Sequence, residues 1–257
     1  MVFGRRCAQR PSGRGAIPAE VGGIDDAVRH RNVYESAKRG DFDAVTSVAV
    51  AETADLARVF ERAVTDFRTI RRSEGHQRIL EWCIDNGLGA EARVGWLDLP
   101  AVSMAAMHGN ASIVDRFIDA GLPESPFIRA SLGDADLVKA LDRDALVRID
   151  TNGLNLLSYC ALSRLGVEDV EVRGRLGALC GDLTAAGVDP ALTVERGLSV
   201  DPAFLCASAG INRVVMAHLI EAGGVTRANA YRLIEHALEP HQRSGPPAYE
   251  IAAMVLD

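Results

Sequence analysis

The residues of this 257-residue chain that could do chemistry are scattered, not grouped. His236 and His241, with Glu235 and Glu239 beside them, have the side chains of a metal site, but a spacing of five does not bring both imidazoles onto one helical face. They read as two surface histidines near a turn. His76 reads as a turn residue. No Gly-x-Ser-x-Gly elbow, phosphate loop ending in Gly-Lys or His-Glu-x-x-His is present. Gly87-Leu88-Gly89-Ala90-Glu91-Ala92 has the outline of a dinucleotide-binding loop; such a loop must follow a strand and open a helix, whereas this one follows a helix ending at Asn86. The five cysteines, Cys7, Cys83, Cys160, Cys180 and Cys206, form no Cys-x-x-Cys pair and read as reduced thiols packed as small hydrophobes in a cytoplasmic protein. Asn110-Ala111-Ser112 matches a glycosylation acceptor, without weight at a helix start in such a protein. The expectation is therefore no enzyme, no cofactor and no metal. An enzyme would require two or more of His76, His108, Asp134 and Cys160 to converge in a cleft.

Hydrophobic residues make up 48% of the chain and aromatics only 5%, so the core must be built from Ala, Leu, Val and Ile, which suits closely approaching helices. The net charge of −7 argues against nucleic-acid or anionic-membrane partners. Residues 1–31 carry six Arg against three acids, leaving 22 − 32 = −10 on the rest, and an acidic body steers toward a partner with a basic surface. No apolar run approaches a membrane span, and residues 1–23, rich in Gly, Pro and Arg without periodicity, are expected to be a flexible basic tail ahead of one domain over 24–257. The alternative for that tail is a transit segment.

Pro100 to Leu122 is the stretch that organises the domain. Val102, Met104 and Ala105 start an apolar helix face, and Gly109-Asn110 breaks it with a residue free to take positive φ and one suited to capping. A second helix follows, with Ile113, Val114, Phe117 and Ile118 at helical spacing and Gly121 where a C-terminal cap belongs. The offsets recur: Gly40, Gly75, Gly109, Gly133 and Gly210 are each followed, four and five positions on, by a pair of small or branched apolar residues. From Gly40 to Gly75 is 35 residues and from Gly75 to Gly109 is 34. Asp41, His76, Asn110 and Asp134 follow the first four glycines and are able to cap the next helix or to tolerate the turn. Residues 55–72 read as one helix with Leu56, Val59, Phe60 and Ala63 inward. The fourth unit is short, Gly133 coming 24 residues after Gly109; residues 166–174 read as a polar insertion ahead of a helix bearing Leu176, Leu179, Cys180 and Leu183; and one extra residue must be accommodated between Gly210 and Gly223.

With its Ala105-Ala106 pair, Gly turn, Ile113-Val114 pair and Ala120-Gly121 ending, this pattern resembles the ankyrin repeat. Asp150, Gly153, Leu157 and Ala161 fit the same family, while Asn155, Leu156, Ser158 and Cys160 depart from it. The resemblance covers about residues 32–257 as roughly six degenerate units. It implies an all-α helical solenoid of paired antiparallel helices with short finger loops, acting as a scaffold for protein–protein interaction. The implied partner-binding residues are Lys38, Arg39, Met107 and His108 at helix ends facing a concave groove, with Trp96, Leu97 and Leu99 on one finger and Thr151, Asn152 and Leu154 on another. Ser73-Glu74 and Ser208-Ala209 are the equivalents of Met107-His108. Arg68, Arg71, Arg72 and Arg78 read as a solvated helix face. The second reading is a self-associating protein, with Val255 and Leu256 at an open end.

Overall fold

The computed structural model describes residues 33–47, 55–64, 73–238 and 249–257. The tail expected over 1–23, the helix beyond Val64, Arg68, Arg71, Arg72, Glu239, His241 and the turn at 245–247 lie outside the described residues.

The described chain is mostly helical. A helix over 33–39 (α1) is followed by α2 (Phe42–Ser47), α3 (Leu56–Val64), α4 (Glu74–Asp85), α5 (Ala101–Met107), α6 (Ala111–Asp119), α7 (Pro126–Ser131), α8 (Leu137–Ala140) and α9 (Arg143–Leu146). The second half holds α10 (Leu156–Leu162), α11 (Val170–Ala185), α12 (Pro202–Leu205), α13 (Arg213–Glu221), α14 (Arg227–Leu238) and α15 (Tyr249–Leu256). Two antiparallel ribbons interrupt them, β1 (Arg93–Val94) with β2 (Leu99–Pro100) and β3 (Val194–Glu195) with β4 (Ser199–Val200).

Helix starts follow from side-chain capping, which satisfies backbone N–H groups the first turn cannot. Asn110 accepts from the Ile113 N–H, Ser125 from Ile128, Asn155 from Ser158, Asp201 from Phe204 and Asn212 from Val214 and Val215. Asp41 and Asn110 cap as their position after glycine predicts. His76 does not: α4 starts a turn earlier than α6 does in its unit, Ser73 caps it, and Gly75 is a helical residue pressed against the Gly40 carbonyl. Residues 170–174 are likewise not an insertion but the opening of α11, because Asp169 accepts from the N–H groups of Glu171 and Val172 and starts the helix there.

Packing runs between neighbours. Helix pairs α3–α4, α5–α6, α10–α11 and α14–α15 face each other; one row continues α3, α5, α7, α10, α12, α14, and the other carries α2, α4 and α6, then α8, α11, α13 and α15. One apolar core runs through them from Val33 to Ala252. Ala105 and Ala106 are fully buried, where small side chains permit the close approach of α5 to its neighbours. Since α7 has only six residues, the end of α10 reaches past it to α5, and the Arg164 N–H donates to the Ala106 carbonyl at 2.9 Å. The extra residue before Gly223 is taken up at 206–210 as a π-helical turn ended by Ile211 at φ 50°, so an isoleucine occupies the left-handed position that Gly109, at φ 65°, fills in the third unit.

Candidate functional site

The first finger is built by its own turn chemistry. Val94 pairs with Leu99 and Arg93 with Pro100; Gly95 and Asp98, both at positive φ, close the loop, with the Asp98 N–H donating to the Gly95 carbonyl at 3.0 Å. The strand after the turn runs directly into α5, so the loop is fixed to the helix whose far end carries Met107 and His108. Alternation across the loop sends Leu97 and Leu99 inward, fully buried, and leaves Trp96 49% exposed at the tip.

The second loop is held by Asp150. One carboxylate oxygen accepts from the N–H groups of Asn152 and Leu154, both at 2.8 Å, and the other from the Tyr159 hydroxyl at 2.7 Å. Burial, reinforced by the hydrogen bond to Asp150, pushes the Tyr159 phenol above its ordinary range, so it stays a donor. Asn152 then joins three loops: its amide N–H₂ donates to the Asp98 carbonyl at 3.0 Å, and its amide oxygen accepts from the Arg196 guanidinium at 2.8 Å. Arg196 belongs to a third finger, Val194–Val200, in which Val194 pairs with Val200. Gly153, at φ 83°, lies beneath Val194, where an added Cβ would come within 3.1 Å of the valine methyl.

The expected binding residues therefore divide. Trp96, Thr151 and Arg39 are exposed, and Lys38, Met107 and His108 are half-buried, the last two adjoining the Arg164 crossover. Leu97, Leu99 and Leu154 are buried packing residues. Asn152 is also buried, its amide engaged between loops, so it positions the surface without presenting itself to a partner. Sequence reasoning missed the third finger, although Arg196-Gly197 between Val194 and Val200 is a short hairpin signal; it also missed Ile149 and Leu198, exposed apolar residues beside the ladder.

Of the groups an enzyme would need, His76, Asp134 and Cys160 each have their own partners. His76 is buried, with Nδ1 2.7 Å from the Ser73 hydroxyl and Nε2 3.0 Å from the Lys38 carbonyl. Arg129 donates to Asp134 at 2.7 Å and holds that carboxylate below its usual range. The Cys160 thiol donates to the Leu176 carbonyl at 3.2 Å; its contact with Cys180, and then burial, push it well up. Burial alone raises Cys83 to about 12, and burial is the main cause raising Cys206 to about 12. These thiols are neutral and shielded, the opposite of what a nucleophile requires. Among the described residues no group of three or more His, Cys, Asp or Glu could hold a metal, and no helix is long and apolar enough to cross a membrane. No protein-family model matches the chain, and no curated protein matches it.

Proposed function

We propose that this chain is a degenerate ankyrin-type solenoid, a non-enzymatic scaffold that holds a protein partner across its finger tips and a concave groove bearing Lys38, Arg39, Met107 and His108. The observation that carries this reading is the hydrogen-bonded ladder Asp98–Asn152–Arg196, which fixes three loops to one another while leaving Trp96 half exposed at their edge. Neighbour-to-neighbour helix packing with antiparallel ribbons entering α5 and preceding α12 supports the repeat architecture. A large aromatic presented by a loop already ordered by its neighbours loses little freedom when a partner covers it, which is what an interface anchor needs. The acidic body favours a partner with a basic surface by long-range steering, and the buried free thiols suit a reducing, cytoplasmic setting.

The test is crosslinking in native-host extract with a photoreactive residue placed at Thr151, and separately at exposed Asp115 on α6. One protein captured from Thr151 and not from Asp115 is expected. Replacing Trp96 by Ala should weaken its binding about 30-fold, on the order of 2 kcal/mol, while stability changes by less than about 0.5 kcal/mol. Capture from Asp115 alone, or undiminished binding by the Trp96→Ala variant, overturns the reading.

A further inference from the structure

Every helix pair in the array buries a face against the next except α14–α15, over which no described element lies. Exposed apolar side chains are concentrated there: Tyr231 is 78% exposed, Tyr249 65% and Leu256 72%, with Leu238 beside them. They fall at helical spacing. Arg227, Tyr231, Glu235 and Leu238 form one outward stripe of α14, and Tyr249, Ala253 and Leu256 form an outward stripe of α15, while Leu233, Ala237, Ile251 and Ala252 face inward. Clustered exposed apolar side chains rimmed by charge mark an interaction surface.

The charges on α14 indicate what covers it. Arg227 and Glu235 are exposed, and among the described residues neither makes an ion pair, in contrast to Arg232, which turns inward to Asp201. Each lies four residues, about one turn, from Tyr231 on the same stripe. If a second α14 crosses antiparallel on a two-fold axis through Tyr231, Arg227 meets the second copy's Glu235 and Glu235 meets its Arg227. The two tyrosines stack at the centre. The stripe is thus complementary in charge to itself when reversed, which is the requirement of an isologous interface. We propose that the chain forms a two-fold dimer through the outer face of α14 and α15, centred on Tyr231, presenting two finger surfaces to its partner.

Sedimentation velocity on the full chain across a wide concentration range reads this directly. The expected parent is a concentration-dependent dimer. Tyr231→Ala should raise the dissociation constant about 100-fold, since both copies lose the central contact. Arg227→Glu alone and Glu235→Arg alone should each raise it by at least about tenfold, by setting like charges against each other. The double variant Arg227→Glu/Glu235→Arg should dimerise like the parent, an outcome specific to this antiparallel register. All three positions are exposed, so circular dichroism melts of the variants should match the parent and separate loss of association from misfolding. A parent that stays monomeric throughout overturns the proposal. A dimer indifferent to Tyr231, or one the double variant fails to restore, overturns it as well.

Discussion

Asn152 shows how one side chain can serve a surface without belonging to it. Its amide has one donor end and one acceptor end, and the flanking loops offer a carbonyl and a guanidinium at matching positions, so three segments distant in sequence become one rigid edge. The buried thiols and Tyr159 make a different contribution, which pH reveals. Their native pKa values are raised, from 9.0 to about 12 for Cys83 and Cys206 and upward from 10.0 for Tyr159, so above pH 9 the unfolded chain releases protons that the native chain keeps. The stability these groups supply is therefore complete below pH 9 and falls as pH rises toward about 12. Urea midpoints should be flat with respect to these groups below pH 9 and decline above it, and Cys83→Ala, though less stable at neutral pH, should decline less steeply. Equal slopes would mean that Cys83 does not titrate as its burial requires.

Helix ends are where the elements of this chain depart from regularity, and glycine decides two of them. A Gly in a helix normally gains about 1 kcal/mol when replaced by Ala. At Gly75 an added Cβ would lie 1.9 Å from the Gly40 carbonyl oxygen, and at Gly210 it would lie 1.9 Å from that of Ala161, both backbone atoms that cannot rotate away. The sign reverses. Gly75→Ala and Gly210→Ala should each destabilise by about 1–3 kcal/mol in urea unfolding, whereas Gly174→Ala, in α11 with open space around it, should be neutral or stabilising. A stabilising Gly75→Ala would show that the turn at Gly40 and α4 do not approach as closely as described.

Among the described residues, elements pack mainly against their neighbours along the array, so loss at one end need not spread to the other. The chain has two tryptophans, Trp82 in α4 and Trp96 in the first finger, and both report on the first half. Leu219 is fully buried in α13, and Leu219→Ala removes roughly 2–5 kcal/mol from the second half. Circular dichroism should then detect a transition at lower urea that tryptophan fluorescence does not register, while the fluorescence midpoint stays near that of the parent. Coincident transitions would mean that the core unfolds as one unit.

Local chemistry made much of this legible in advance. The mostly helical character, the cap at Asn110 and the apolar stripes of α4 and α6 follow from spacing and residue type, because helix periodicity and capping involve neighbours a few residues apart, while the finger at residues 95–99 was expected only from the repeat resemblance. What the tertiary structure alone decided was the fate of side chains whose alternatives are equal in sequence. Leu97, Leu99 and Leu154 read as apolar finger residues and lie in the core, and Asn152 reads as a contact and is a tie between loops. The reach of α10 to α5 past the short α7 was equally hidden, as was the π-helical turn that absorbed one extra residue. Burial and long-range hydrogen bonds depend on which segment arrives from elsewhere in the chain, and no window of neighbouring residues contains that information.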